Sequence, residues 1–474
     1  MKLVLLRLTA LLFASTTTVA IAENLDAHQR LALEIFKELV ETDTTHSTGD
    51  TGIAADLMAK RLIAAGFPKQ DVRVIRNGDR KGNLIARYRS KNPIRGPILL
   101  LAHIDVVEAN PEDWTKDPFT FLIEGDHYYG RGTLDDKDEA AIHIANLIRM
   151  KHENYSPDRD IIVALTADEE GGDFNGVQYL LANHRDLVES DFVINEGGGG
   201  IIQNGVHQIN AIQAAEKVYQ SFTLEVTNPG GHSSRPTPDN AIYQLAHGLT
   251  NIEGHTFPVE LNEITRAFFT ASAINSTPEE VKLIEGLLAD PPEQASIKHF
   301  EQTPSFNALL RTTCVATQLL GGHAENALPQ RASATVNCRV LPGNSPIEVQ
   351  NTLVQIIADP DVTVTPIKPA TPSDPSPLTA EVMTAVTGVT ESMWPEAIVL
   401  PSMSTGATDG LYFRNAGIPV YGVSGIFRDA GESRAHGRDE RILKRSFHEG
   451  VIFLDRLVRT LTSQADKPEP ATPL

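Results

Sequence analysis

The sequence ILLLAHID, residues 98–105, is a strand-like apolar run that ends in a histidine and an aspartate two positions apart. Around this stretch, helical spacing of apolar residues alternates with short apolar runs typical of strands. Helices are predicted at 25–40, 53–65, 139–150 and 176–183, and strands at 83–88, 98–102, 161–167 and 192–195. Alternation of this kind predicts an α/β sheet that is covered by helices.

The alternation of helices and strands stops near residue 214 and returns near residue 347. Between these points we predict a strand at 218–226, a polar helical stretch at 260–299 and two strands at 312–319 and 332–340. A chain of 474 residues is also long for a single hydrophobic core. We therefore predict a catalytic domain in two parts, 23–213 and 343–462, interrupted by an inserted α+β domain at 214–342.

The two ends of the chain differ in composition from the rest. Lys2 and Arg7 accompany an apolar run, and small residues then end in Ala20-Ile21-Ala22, which is the pattern of a secretory signal with an A-x-A cleavage site. We predict a signal peptide at 1–22 and export to the periplasm or the medium. A Pro-rich tail at 463–474 is predicted to be disordered.

The charge and the cysteine content exclude several classes of protein. A formal charge of −20 argues against nucleic acid and anionic membranes as partners, and no segment after the signal predicts stable membrane insertion. The only cysteines are Cys314 and Cys338, so any metal must be held by His, Asp and Glu. The two cysteines lie on strands that place them nearly opposite each other. Because cross-strand disulfide geometry is restrictive, we expect neighbouring thiols rather than a disulfide.

Acidic residues and histidines recur at the ends of the predicted strands. His103 follows the strand 98–102, and Asp105 lies on the same side of that strand, where it can orient the imidazole. The other groups are Asp135-Asp136, Asp168-Glu169-Glu170, Asn195-Glu196 and His436. Histidine, aspartate and glutamate suit zinc and, less exclusively, manganese or cobalt. Five ligands are too many for one open catalytic zinc but suit two ions that share a bridging carboxylate.

Seven motifs resemble, in the same order, those of the aminoacylase and carboxypeptidase S family of co-catalytic di-zinc metallopeptidases, clan MH: LLLAHIDVV, YYGRGTLDDK, TADEEGG, NEGGG, NPGGHSSRP, NALPQRASATVNCRVLPG and AHGRDE. The agreement covers nearly the whole chain after the signal. It implies a zinc-peptidase-type three-layer catalytic domain with an inserted lid and dimerisation domain. It also implies two Zn²⁺ per subunit, with Co²⁺ or Mn²⁺ as substitutes.

The resemblance assigns roles to individual residues of the metal set. Asp135 would bridge the two ions, His103 and Glu196 would complete one site, Glu170 and His436 would complete the other, and Glu169 would be the catalytic base. Related chains vary at Asn195-Glu196, so which of these two residues faces the metal stays open. The Asp135–Asp136 peptide resembles one that is cis in this family.

Three further residues resemble family positions that act on the substrate. His232 would stabilise the oxyanion of the tetrahedral intermediate, donated across a homodimer interface by the inserted domain. Asn326 and Arg339 would bind the substrate backbone or its carboxylate, a task that suits the planar fork of arginine.

Two related activities fit these residues. One is a carboxypeptidase S-like exopeptidase that acts on short peptides, and the other is an N-acyl amino acid amidohydrolase or synthase; the motifs do not separate them. A metal-dependent binding protein that has lost catalysis is a third reading, of a different class. The intact Glu169 and all five ligand positions argue against that reading.

Overall fold

A computed structural model describes residues 25–463 of the chain. The predicted signal peptide at 1–22 and the predicted tail beyond residue 463 lie outside the described residues. Within 25–463, none of the helices combines the length and the apolar character that crossing a membrane requires.

The strands form one large sheet, one sheet of four strands and two smaller sheets. In the described chain they are β1 (Val72–Gly78), β2 (Lys81–Tyr88), β3 (Ile98–His103), β4 (Leu122–Glu124), β5 (His127–Tyr129), β6 (Ile161–Thr166), β7 (Phe192–Asn195), β8 (Gly199–Gln203), β9 (Val206–Glu216), β10 (Val218–Thr227), β11 (Gly231–His232), β12 (Thr313–Gly321), β13 (Ala327–Leu328), β14 (Arg331–Val340), β15 (Thr363–Pro366), β16 (Ile398–Ser404), β17 (Val420–Gly422), β18 (Phe427–Asp429) and β19 (Arg441–Leu443). The large sheet has the order β1-β2-β6-β3-β7-β17-β9-β8-β18, with β16 paired to β9.

Helices cover both faces of the large sheet. In chain order the helices are α1 (Ala27–Val40), α2 (Thr51–Ala64), α3 (Lys137–His152), α4 (Gly176–Asn183), α5 (Arg185–Val188), α6 (Ala241–Glu253), α7 (Glu263–Ser272), α8 (Pro278–Leu288), α9 (Gln294–Phe300), α10 (Pro304–Leu310), α11 (Pro346–Ile357), α12 (Ala380–Met393), α13 (Gly410–Asn415) and α14 (Lys444–Thr462). One core joins the sheet to α1, α2, α3, α12 and α14, and a second core joins it to α4, α5 and α13. The predicted three-layer α/β arrangement is confirmed.

Strand β3 lies between β6 and β7 in the middle of the large sheet, and all three strands are parallel. Every residue of the three strands is buried, as expected for strands covered on both faces, which explains their continuous apolar runs. Because their carboxyl ends meet at one edge of the sheet, the polar residues that follow them are brought together.

The four-stranded sheet has the order β12-β14-β10-β15 and packs against α6 and α11. Val349 and Leu353 of α11 and Val364 of β15 are buried in its core. Strand β15 completes this sheet by pairing with β10. The inserted domain, predicted to end at residue 342, therefore continues through α11 and β15, because their apolar side chains complete its core.

In sequence, the helices α7 to α10 lie between β10 and β12, two strands of the four-stranded sheet. They do not pack in the core of that sheet. Ile264 of α7 and Leu309 of α10 belong to the core of the large sheet, together with Met403 of β16. Phe269 and Leu287 form a small cluster of their own with other residues of these helices. This helical segment therefore ties the inserted domain to the catalytic domain.

The two cysteines form a disulfide between β12 and β14, with 4.1 Å between their Cα atoms. Cys314 and Cys338 are directly opposite each other in the antiparallel register. The expected opposition of the two cysteines is confirmed, but the expectation of free thiols was wrong, because the directly paired positions bring the two sulfur atoms within bonding distance.

Candidate metal centre

The predicted metal ligands come from five separate segments that meet at the carboxyl edge of the large sheet. His103 is the last residue of β3, and Glu170 and Glu196 follow β6 and β7. Asp135 lies in the turn before α3, and His436 lies in the loop between β18 and β19. The sheet therefore brings together residues that are more than 300 positions apart in the chain.

Asp135 lies between the two histidines. Its Oδ1 is 2.8 Å from Nε2 of His103, and its Oδ2 is 3.1 Å from Nε2 of His436. His436 Nε2 is also 2.9 Å from Oε1 of Glu170. One carboxylate oxygen thus faces each imidazole, which is the arrangement that a bridging ligand between two ions needs. The Asp135–Asp136 peptide is cis, as expected.

Potential ligand atoms form two overlapping groups, each within 4.8 Å: one from His103, Asp135 and Glu170, and one from His103, Glu169 and Glu196. Glu196 Oε1 is 3.9 Å from His103 Nε2. The neighbouring Asn195 instead has a buried side chain that donates to Oγ1 of Thr408 over 3.4 Å. Of the two residues left open by the sequence, Glu196 is therefore the one that faces the cluster.

Asp105 holds the turn that carries the two glutamates. Its Oδ1 and Oδ2 accept hydrogen bonds from the backbone N–H groups of Glu169 (3.1 Å) and Glu170 (3.0 Å). Its backbone oxygen is 3.1 Å from Nδ1 of His103, closer than its Oδ1 at 3.7 Å. Asp168, with a φ of 57°, forms a buried ion pair with Lys81 at 2.6 Å. Asp105 therefore orients both the imidazole and the glutamate pair.

The crowding of carboxylates shifts the pKa values of the cluster. Burial lowers the pKa of His103, but the hydrogen bond to Asp135 and the nearby carboxylates outweigh burial and hold it well above its usual value. Hydrogen bonds to Asp135 and Glu170 raise the pKa of His436 to about 10. Burial raises the pKa of Glu196 to about 8. Carboxylates that lie this close together are stabilised by a positive charge nearby, and imidazole and carboxylate groups are common zinc ligands. The residues of the cluster therefore fit divalent cations.

The sequence model of peptidase family M20/M25/M40 matches residues 99–460 of the chain. The chain belongs to this family. A human N-fatty-acyl-amino acid synthase/hydrolase is 30% identical over 384 residues, which cover 78% of this chain and 75% of the relative. Carboxypeptidase S-like 2 of Dictyostelium discoideum is 28% identical over 396 residues, which cover 80% of this chain and 75% of the relative. An M20 family metallo-carboxypeptidase from Sulfolobus solfataricus has the same fold, with a TM-score of 0.68 at 20% identity over 92% of this chain and 99% of that one.

The family resemblance and the fold inferred from the motifs are thus confirmed. This M20 chain is an enzyme of the metallopeptidase and amidohydrolase class. The family is metal-dependent, and the two overlapping groups around His103 are the candidate ligands in this chain.

The predicted substrate residues of this M20 enzyme lie apart from the metal cluster. His232 of β11 accepts hydrogen bonds at Nδ1 from the backbone N–H (3.1 Å) and the hydroxyl (2.8 Å) of Ser234. The backbone oxygen of Asn326 accepts from Ser233 N–H over 3.1 Å, so the two predicted residues are neighbours in one exposed turn region. Across residues 25–463, no hydrogen bond or ion pair joins His232 or Asn326 to the metal cluster.

Arg339 of β14 lines a cavity of about 820 Å³ between the four-stranded sheet and the catalytic domain. Tyr412 of α13 lines the same cavity. Burial raises the pKa of Tyr412 to about 12, with the charges of Asp409 and Glu169 adding to the effect.

Sequence reasoning missed two buried acids beside the cluster. Glu440 binds the Arg131 guanidinium (2.5 Å) and the backbone N–H of Leu134 (2.8 Å), and both partners belong to the quoted motif GRGTLDDK. Asp409 is 4% exposed and accepts from the Asn175 amide over 2.6 Å. Burial raises its pKa to about 7. Glu440 lies inside the motif AHGRDE, so the sequence could have pointed to it. Asp409 follows a loop whose sequence shows no regular pattern of polar and apolar residues.

Proposed function

We propose that this M20 enzyme hydrolyses the amide bond between an acyl or peptidyl group and an amino acid that bears a free carboxylate. The observation that supports this most directly is the different surroundings of two adjacent glutamates. Glu170 bonds to His436, whereas Glu169 faces His103 and Glu196. This difference supports Glu170 as the metal ligand and Glu169 as the residue that transfers a proton, although both lie in groups of potential ligand atoms.

The donor set supports two zinc ions that share Asp135, with Co²⁺ or Mn²⁺ as substitutes. His103 and Glu196 would hold one ion, and Glu170 and His436 the other. Such ions, when bound, polarise the scissile carbonyl and make water more acidic. Asp105 would keep His103 and the glutamate turn in place through the three contacts described above.

Glu169 would accept a proton from the attacking water and then deliver it to the leaving amine nitrogen. Burial raises the pKa of Glu169 well above its usual value, and the charge of His103 counteracts this. A raised pKa makes the carboxylate a stronger base, which favours proton transfer from the attacking water. Proton transfer of this kind typically contributes about 10² to 10⁴ in rate.

Arg339 would bind the carboxylate of the leaving amino acid. Its guanidinium faces the cavity of about 820 Å³, and Arg339 has no ion pair with an acid of the described chain. An arginine without a carboxylate partner in a cavity can engage a ligand carboxylate with two parallel hydrogen bonds.

The substrate class is tested by a screen of amide substrates. We expect turnover of N-acetyl-leucine, of a long-chain N-acyl-leucine or of benzyloxycarbonyl-glycyl-leucine, measured as free leucine by mass spectrometry. Removal of metal by a chelator should abolish turnover, and added zinc should restore it, because the donor set holds the ions reversibly. Preference for the blocked dipeptide would favour the exopeptidase, and preference for the N-acyl amino acids would favour the amidohydrolase or synthase. Bound zinc with no turnover of any amide would instead support the metal-dependent binding protein.

Export is part of the proposal. The pattern of residues 1–22 supports secretion, and a disulfide between Cys314 and Cys338 fits an oxidising compartment. The enzyme would therefore act in the periplasm or outside the cell.

We also propose that the enzyme is a homodimer through the inserted domain. Strand β12 is an edge of the four-stranded sheet, and its residues Val315, Leu319 and Leu320 are 60%, 65% and 71% exposed. An exposed apolar edge strand is a template for pairing with another chain. Dimerisation there would give His232 and Asn326 a route to the partner's metal centre.

Replacing Leu320 by Asp is expected to dissociate the dimer and to lower activity, because a charge would be buried in the proposed interface. Sizing chromatography with light scattering measures the mass, and the matched control is Ile94→Asp at a similarly exposed apolar residue of the catalytic domain. The control should stay dimeric. A wild-type enzyme that is monomeric and fully active would rule out the dimer and its role for His232.

A further inference from the structure

Arg339 belongs to a ladder of polar side chains on the face of the four-stranded sheet that lines the large cavity. In the antiparallel register, Tyr219 of β10 is opposite Arg339, and Ser221 is opposite Asn337. All four residues line the cavity of about 820 Å³. Side chains directly opposite each other on one face of a sheet are close enough to interact, so this ladder can order its own members.

Hydrogen bonds join the amide of Asn337 to Ser221 on one side and to Arg339 on the other. Its Nδ2 donates to the hydroxyl of Ser221 over 3.0 Å, and Ser221 donates to the hydroxyl of Tyr219 over 3.2 Å. With Nδ2 engaged in this way, the Oδ1 of Asn337 accepts from Nε of Arg339 over 3.3 Å. Because the Nε–H of Arg339 can only donate, Oδ1 of Asn337 faces Arg339 and Nδ2 faces Ser221, and the hydroxyls of Ser221 and Tyr219 complete the hydrogen bonding of the amide.

The guanidinium of Arg339 is held on two sides. Asn337 binds its Nε, and the ring of Tyr219 lies under it at 4.6 Å from centroid to Cζ. Within the described chain, the two terminal nitrogens of Arg339 have no hydrogen-bond partner, and no acid lies within ion-pair distance. Arg339 thus keeps its full charge and its pair of terminal donors for a ligand.

We propose that Tyr219, Ser221 and Asn337 are positioning residues that hold Arg339 ready for the carboxylate of the substrate. The inference rests on the proposed function and deepens it: the ladder makes the enzyme prefer substrates with a free C-terminal carboxylate over the matching C-terminal amides. The neutral amide at Asn337 orients the guanidinium without neutralising it. A carboxylate at the same position would pair with Arg339 and compete with the substrate.

The test uses substrates that differ only in the C-terminal group. N-acetyl-leucine is compared with N-acetyl-leucinamide, and benzyloxycarbonyl-glycyl-leucine with its C-terminal amide. Asn337→Asp should lower the acid-to-amide ratio of kcat/KM by about tenfold or more, the size expected for loss of a charge-assisted hydrogen-bonded pair. The loss should appear in KM for the acid, with kcat and the constants for the amide nearly unchanged.

Two further variants separate positioning from general damage. Thr223→Asp adds the same charge at the next residue after Ser221 on the same face of β10. It should change the acid-to-amide ratio of kcat/KM far less. Tyr219→Leu removes the ring under the guanidinium at a residue that is 52% exposed, and should also raise KM for the acid alone. Circular dichroism and zinc content serve as folding controls.

Each outcome is decisive. If the wild type cleaves neither acid, the proposed function fails, and the inference fails with it. If the wild type prefers the acids but Asn337→Asp keeps that preference, or Thr223→Asp loses as much, the proposed function stands and the positioning role is wrong.

Discussion

Glu169→Gln is expected to lower kcat by at least about 10² while the zinc content stays near that of the wild type. Glutamine keeps the size of the side chain but cannot accept a proton at working pH. The backbone N–H of Glu169 bonds to Asp105, so the turn should keep its conformation in the variant. The expected result is therefore an enzyme that is folded and loaded with metal but nearly inactive.

The measurements are metal analysis by mass spectrometry and turnover of the best substrate from the screen. Added zinc should not restore the Glu169→Gln variant, because no ligand has been removed. Recovery with zinc would mean that Glu169 holds a metal and that its role has been assigned to the wrong glutamate.

Glu170→Gln is expected to lose one ion, or to exchange it readily, and to lose most of its activity. The substitution replaces a charged ligand by a weakly binding neutral one at the site formed with Asp135 and His436. Because binding of the ion is weakened rather than abolished, excess zinc should partly restore activity. A titration of activity against free zinc, compared with the wild type, measures the loss of affinity.

Glu169→Gln is the matched control for this second variant, because it makes the same chemical change at the adjacent position. If zinc restores Glu169→Gln but not Glu170→Gln, the two assignments are reversed. If both variants hold two ions and retain turnover, the cluster around Asp135 is not the active site.

The sequence alone determined the class of the fold and predicted the polar residues that meet at the carboxyl edge of the large sheet. The runs 98–102, 161–167 and 192–195 are short, apolar and followed by polar residues, and such runs predict buried parallel strands that present ligands at their carboxyl ends. His103, the pair Glu169-Glu170 and the pair Asn195-Glu196 could be chosen for this reason, since their positions at the ends of strands follow from local pattern. Asp135 and His436 joined the set because their side chains are of the same ligand types, and the ordered motifs gave each residue its role.

Only the tertiary structure decided which residues contact each other. Strand register pairs Asn337 with Ser221, and a local sequence pattern does not determine register. The end of the inserted domain was misplaced for the same reason, because β15 joins β10 across a large separation in sequence.

The burial of charge was also a tertiary result. Asp409 becomes a neighbour of the cluster, and Arg339 remains without an acid partner, because elements from distant parts of the chain surround them. A sequence pattern reports periodicity along the chain, whereas the pKa of a carboxyl or the availability of a guanidinium depends on everything packed around it in space. The polar residues at the carboxyl edge of the large sheet could be predicted from the sequence, whereas the orientation of the arginine proposed to bind the substrate could not.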